Sequence, residues 1–309
     1  MKIVYMGTPD FAVQPLKGLI EGGCEISLAV SQPDRPRDRG KRMQPTPVKS
    51  LAAEHGIPLF QPEKAADNEE LYRLLLDIAP DIIVVAAYGR LLPEKILEIP
   101  PLGCVNIHAS LLPKHRGAAP IQHAILSGDE ETGVTLMYMS AGMDEGDMIA
   151  KISTPIDKKT AGELFTELSL LGTRLLLDTL PLIKGGRATR TAQDEGLATY
   201  AGKISKDDSH IDFMRSAGDI ERLIRAMNPS PGAHTIMGGK VMKIFTAEVI
   251  HAENTLSPGT VKEVGSRGIL TSTGGGDLLL KRIQMPGKQA LDAAEFIKGN
   301  KIEIGTVLG

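Results

Sequence analysis

No Cys-x-x-Cys pair occurs in this 309-residue chain; its two cysteines, Cys24 and Cys104, stand far apart. That scarcity argues against a zinc site and for a reducing compartment. No apolar run approaches the roughly 20 residues needed to span a bilayer, and KIVYMG at the start has no signal-peptide core. A cytoplasmic protein without membrane contact is expected. Gly7 lacks the further glycines of a dinucleotide-binding turn, and no Gly-x-x-x-x-Gly-Lys-Ser/Thr loop is present. His-x-x-x-His spacing and a Gly-x-Ser-x-Gly elbow are also missing. Metal catalysis and a serine nucleophile are thereby disfavoured. Nor does one sign of charge dominate. Residues 1–200 carry 21 basic and 26 acidic side chains and residues 201–309 carry 14 and 12, which alone identifies no nucleic-acid partner.

What is present is a chain long enough for two domains, 42 % hydrophobic and 24 % charged. Lys2–Met6, a helix over 11–21 and Ile26–Ser31 form a βαβ opening, so a parallel sheet is expected. Thr46 with Pro47 predicts a capped helix to about His55. A strand near Leu59, a helix over 69–77 and a strand over 81–87 continue the alternation. Residues 106–108 fall in another strand, Pro120 opens a helix, and Val134–Met139 and Ile149–Ile152 alternate again. Thr160 and Glu163 form a capping box before a long amphipathic helix. Residues 185–206 are polar and aperiodic, as a linker would be. A helix over 218–227 and short strands separated by Gly, Pro and Asn turns then suggest a small β-barrel.

The stretch from Gly103 to Asp147 holds the chemistry. Side chains two apart on a strand share a face, so Cys104, Asn106 and His108 point one way and Val105 and Ile107 the other. The C-terminal edge of an open α/β sheet is where ligands bind. Asp144, in a Gly-flanked loop, can join them there. SLLPKHRG after this strand, with two leucines read as exposed, and Tyr88-Gly89-Arg90-Leu91-Leu92 after the preceding one read as cleft walls; a hydrophobic staple onto the next helix is the bland alternative for the leucines. His55, His115, His210, His234 and His251 lack such company, and His123 reads as structural. Hydrogen-bond donors with one carboxylate fit acyl transfer between nitrogens: Asn106 and His108 donate to an oxyanion, while Asp144 holds the imidazole and shuttles the proton. The connection from Gln32 to Pro47 is long for a βα loop. Four prolines and Gly40 argue against a regular element in it. Its five basic residues (Arg35, Arg37, Arg39, Lys41, Arg42) read as phosphate contacts or, more blandly, as a solvated loop.

At MGTPDFA (6–12), QPDRPRDRGKRMQPTPVK (32–49), VVAAYGRLLP (84–93), NIHASLLPKHRGAAPIQHAILSGDEETGVT (106–135), GMDEGDM (142–148) and IRAMNPSPGA (224–233) the chain resembles the methionyl-tRNA formyltransferase family. The resemblance runs through essentially the whole sequence. It implies a Rossmann-like, mostly parallel sheet with helices on both faces and a C-terminal OB-like β-barrel, an α/β protein. The implied domains are residues 1–185 for formyl transfer, 186–206 as linker and 207–309 for tRNA binding. The implied reaction moves a formyl group from 10-formyltetrahydrofolate, without a metal, to the α-amino group of initiator methionyl-tRNA. Asn106, His108 and Asp144 match the family's catalytic trio. Ser110, Leu111, Leu112 and Pro113, with Tyr88, Gly89, Arg90, Leu91 and Leu92, match its folate-binding walls. Arg35, Arg37, Arg39, Lys41 and Arg42 match its tRNA-approaching loop. A monomer is expected. The residues themselves leave two alternatives: formylation of a small amine, or a non-catalytic tRNA- or folate-binding protein.

Overall fold

The computed structural model describes residues 1–37, 42–64, 68–251 and 256–309. Two compact units emerge: residues 1–120, 131–155 and 165–202, and residues 121–130, 156–164 and 203–309. The first is built on a seven-stranded sheet. Its spatial order is Met148–Pro155, Glu131–Tyr138, Cys104–His108, Ile82–Ala86, Lys2–Gly7, Glu25–Val30, Leu59–Phe60. The last five are mutually parallel, and the first two complete the sheet antiparallel. Strand order reverses between Lys2–Gly7 and Ile82–Ala86, so the crevice of the open sheet lies at their C-terminal ends.

Alternation assigns the two faces. Val4, Met6, Leu28, Val30, Ile83, Val85 and Cys104 bury one face against Leu71 and Leu75 of the Glu69–Ile78 helix. The other face meets the Ala161–Lys184 helix, where a Cβ on Gly172 would lie 2.7 Å from Ile107 Cγ2. Only glycine permits that approach, and it presses the helix onto the back of the Cys104–His108 strand. Local signals start the helices as expected. Thr46 Oγ1 accepts from Lys49 N at 3.2 Å with Pro47 at the first position, and Glu163 Oε2 accepts from Thr160 N at 2.8 Å.

In the second unit the antiparallel order is His234–Met237, Lys240–Ile250, Asp277–Gln284, Gly268–Ser272, Val261–Gly265. Residues 305–309 bridge the two outer strands: Val261 N donates to Thr306 O at 2.8 Å and Gly309 N to Ile236 O at 3.1 Å. The Ala217–Ala226 helix buries Ile220 and Ile224 in this unit's core. The expected architecture, a mostly parallel sheet followed by an antiparallel β domain, is therefore found.

Some local expectations fail. The Gln32–Pro47 connection does contain a regular element, a hairpin of Arg35–Arg37 with Arg42–Gln44. Pro36 is tolerated because a two-stranded ribbon leaves one edge unpaired, where no N–H is needed. The strand His234–Met237 and the helix Ala293–Gly299 had no clear sequence signal.

Candidate active site

Asn106 and His108 share the face of Cys104, as alternation requires, and His108 is only 5 % exposed. Asp144 reaches them from the bend after Glu131–Tyr138, with φ at +55°. That left-handed conformation costs a non-glycine residue about 1–2 kcal/mol, so the surroundings must enforce it. Asn106 Nδ2 donates to Asp144 Oδ1 at 3.3 Å, and Gly117 N donates to Asp144 Oδ2 at 2.9 Å. His108 Nδ1 stands 3.6 Å from Asp144 Oδ2, too long for a hydrogen bond.

The other ring nitrogen settles the tautomer. His108 Nε2 lies 3.0 Å from the carbonyl of His115, which can only accept. The neutral imidazole therefore carries its proton on Nε2 and presents a bare Nδ1 toward Asp144. This corrects the sequence-based expectation in one respect: the His115 carbonyl, not Asp144, holds the ring by its N–H. To donate from Nδ1 the ring must be imidazolium. Asn106 Nδ2 keeps one hydrogen beyond its bond to Asp144. An amide donor, a carboxylate and an imidazole nitrogen thus converge at the tip of one strand.

The SLLPKHRG loop is tied down more firmly than two exposed leucines would allow. Leu112 is 1 % exposed and packs on Met137 and Met148, not as a staple on the next helix. Ser110 is buried, with Oγ donating to Lys114 O at 2.6 Å. Thr135 Oγ1 donates to Ser110 O at 2.7 Å and accepts from Leu112 N at 3.1 Å. Lys151 Nζ donates to Leu112 O, and burial pulls its pKa down. Leu111 is half-buried beside Gly133, and Pro113 is partly exposed. His115, set aside for want of polar company, is buried and meets His108 through its carbonyl.

On the neighbouring loop Tyr88 is buried in the sheet's core, which pushes its phenol up to about 12. Tyr88 O accepts from Gln32 Nε2 at 2.8 Å and Thr8 Oγ1 at 3.3 Å, across the point where strand order reverses. Leu92 is buried too, whereas Gly89, Arg90 and Leu91 are exposed, Leu91 by 54 %. In the hairpin Arg35 is exposed. Arg39 and Lys41 lie outside the described residues, as do the side chains of Arg37 and Arg42. Asp34 anchors the hairpin's base: its hydrogen bonds to Gln61 (2.8 Å) and Lys49 (2.6 Å) hold its carboxyl below the usual range.

Sequence reasoning missed several supporting residues. Arg116, fully buried, donates from Nε to Gln193 Oε1 at 3.0 Å and in a two-pronged pair to Glu195 at 3.0 and 2.7 Å. Gln193 Nε2 reaches the carbonyls of Asp144 and Gly146, both at 2.8 Å. Arg190 stacks over the Tyr138 ring at 3.9 Å. All but Arg116 and Tyr138 come from the polar stretch after the long helix, where no periodicity marks function. Among the described residues, no group of three or more His, Cys, Asp or Glu side chains is placed to hold a metal ion. No helix among them is long and apolar enough to cross a membrane.

Comparison with known proteins gives a consistent picture. Residues 1–180 match the formyl transferase family and residues 203–301 its C-terminal domain. A methionyl-tRNA formyltransferase of Clostridioides difficile is 47 % identical over 310 residues, covering 100 % of both chains. One from Desulforamulus reducens is 46 % identical over 311 residues, covering 100 % of this chain and 98 % of that one. Among solved structures, an N-formyltransferase from Helicobacter canadensis in complex with folinic acid and dTDP-3-aminofucose superposes with a TM-score of 0.67. At 19 % identity, over 92 % of this chain and 99 % of that one, it attests the fold alone.

Proposed function

The chain belongs to the methionyl-tRNA formyltransferase family, and on that premise we propose that Asn106, His108 and Asp144 carry formyl transfer from 10-formyltetrahydrofolate to the α-amino group of initiator methionyl-tRNA. The observation that carries this reading is the convergence of the Asn106 amide and the His108 Nδ1 on one carboxylate. The amine nitrogen attacks the formyl carbon, and the carbonyl electrons move onto oxygen. The second hydrogen of Asn106 Nδ2 stabilises that oxyanion, joined by His108 Nδ1 once it carries the proton given up by the attacking amine. Its collapse breaks the bond to the donor nitrogen, which takes up the proton the amine has lost. Asp144 relays that proton beside Nδ1. A free α-amino group titrates near 7.7–8.0, so a useful fraction of it is neutral at cytoplasmic pH and no strong base is required.

The exposed Gly89, Arg90 and Leu91, with the ordered backbone of Ser110–Pro113, suit a flat donor bearing an anionic tail; Tyr88 and Leu92 support that wall from behind. Arg35, Arg37, Arg39, Lys41 and Arg42 approach the acceptor end of the tRNA. Residues 1–185 carry the catalytic domain and 207–309 the tRNA-binding domain, and of the expected linker 186–206 the part up to residue 202 clusters with the first unit. In the tRNA-binding domain, a groove of about 1280 Å³ lined by three lysines (Lys240, Lys288, Lys301) against one glutamate (Glu303), with Asn300 and Phe296, supports an RNA-facing role. The protein acts as a cytoplasmic monomer.

Asn106→Ala should slow formylation by about 10²–10³, the usual cost of one oxyanion donor, with tRNA affinity unchanged. His108→Ala should do the same. An unchanged rate, or an equal loss of tRNA affinity, would overturn these roles. Offering methionyl-initiator tRNA, elongator tRNA and small amines in parallel tests the acceptor: formylation of small amines alone would reject the tRNA reading.

A further inference from the structure

Asp144 could not serve this chemistry unless its turn were held, and the holding group lies 49 residues downstream. Gln193 Nε2 donates to both Asp144 O and Gly146 O, so a single amide straddles the turn. Its orientation is not arbitrary. Two carbonyls face the nitrogen and the guanidinium of Arg116 faces the oxygen, so the reversed amide would satisfy none of the three. Arg116 is fixed in turn by Glu195, and the next residue, Gly117, donates its N–H to Asp144 Oδ2. The turn is thus gripped at its backbone by Gln193 and at its carboxylate by Gly117.

The segment carrying Gln193 is pinned on either side. Thr191 exchanges hydrogen bonds with Met148 at 2.8 and 2.9 Å. Thr199 accepts from Arg116 N at its carbonyl and from His115 N at its hydroxyl, both at 2.8 Å. His115 is the residue whose carbonyl fixes the ring of His108. One strap therefore reaches the supports of both Asp144 and His108.

We infer that Gln193 is a positioning residue: through its two N–H donors it sets the Asp144 carboxylate against Asn106 and His108, and residues 191–199 are the strap that supports the site. This rests on the role proposed above for Asp144. The test is a double-mutant cycle. Gln193→Glu is nearly isosteric and keeps an acceptor for Arg116, but it turns both donors into acceptors facing carbonyls. Formylation is followed at steady state for kcat and KM, and in single turnovers with enzyme in excess for the chemical step, in the parent and in Asp144→Asn.

In the parent, kcat should fall about 10- to 100-fold, since misplacement near 1 Å can cost 10². KM for donor and for tRNA should stay within about twofold. In Asp144→Asn the same change should alter the rate by less than about twofold, because residues acting through one group are not additive. An equal loss in both backgrounds, or no loss in the parent, overturns the inference while leaving the role of Asp144 standing. Full activity of Asp144→Asn alone instead refutes that role. Should Gln193→Glu fail to fold, Gln193→Met, similar in length and without donors, carries the same cycle.

Discussion

Substituting alanine at Gly117 would strike the carboxylate's backbone donor. Gly117 has φ +120°, outside the range of ordinary side chains, and an added Cβ would lie 2.6 Å from the carbonyl oxygen of Ala201. That oxygen cannot easily move, because it already accepts from Ala118 N at 2.9 Å. A conformational cost of about 1–3 kcal/mol adds to an overpacking cost of about 1–3 kcal/mol. At roughly 2–4 °C per kcal/mol for a unit of this size, the midpoint of that range corresponds to a Tm loss of about 12 °C. Gly186→Ala is the control: φ there is +65° but nothing lies within 4 Å of an added Cβ, so only about 1–2 kcal/mol is lost. Thermal unfolding by circular dichroism should rank Gly117→Ala well below Gly186→Ala. Formylation should fall about 100-fold in the first and stay at the parental rate in the second. Equal Tm values with full activity in both would refute the close contact and the donor's role together.

Burial, with His210 and Lys243 nearby, lowers the pKa of His234, whose Nδ1 meets Ser209 Oγ at 3.1 Å. The unfolded chain then binds this proton more readily, so stability present above about pH 6.5 is lost as pH falls toward the depressed folded value. Unfolding curves from pH 7.5 to 5.5 should show a steeper loss in the parent than in His234→Gln; parallel curves would exclude His234 as the source. Arg35→Ala and Arg39→Ala should each flatten the salt dependence of tRNA kcat/KM, by about 0.7–0.9 in the log–log slope per phosphate contact removed. Slopes equal to the parent's would take the loop out of RNA contact.

The face shared by Asn106 and His108 was legible because strand alternation is strict, and the bulk of Ile107 against Gly172 leaves the strand no other register. Asp144 was legible through its flanking glycines. Arg116 and Gln193 were not, since they act through contacts spanning 47 to 79 residues of chain, which leave no local pattern. Leu112 and His115 misled for a related reason. A loop dense in Pro, Lys and Arg reads as solvated, yet Thr135 from a neighbouring strand draws its backbone inward. The helix Ala293–Gly299 is seven residues long, too short for periodicity to mark it.

The pins at Thr191 and Thr199 make the chain between them a tie of set length. A residue inserted there must bulge outward, or free one pin and loosen the turn or the imidazole. Length changes on this stretch should therefore be far less tolerated than its exposed side chains suggest, and its spacing constrains the molecule more tightly than most of its composition.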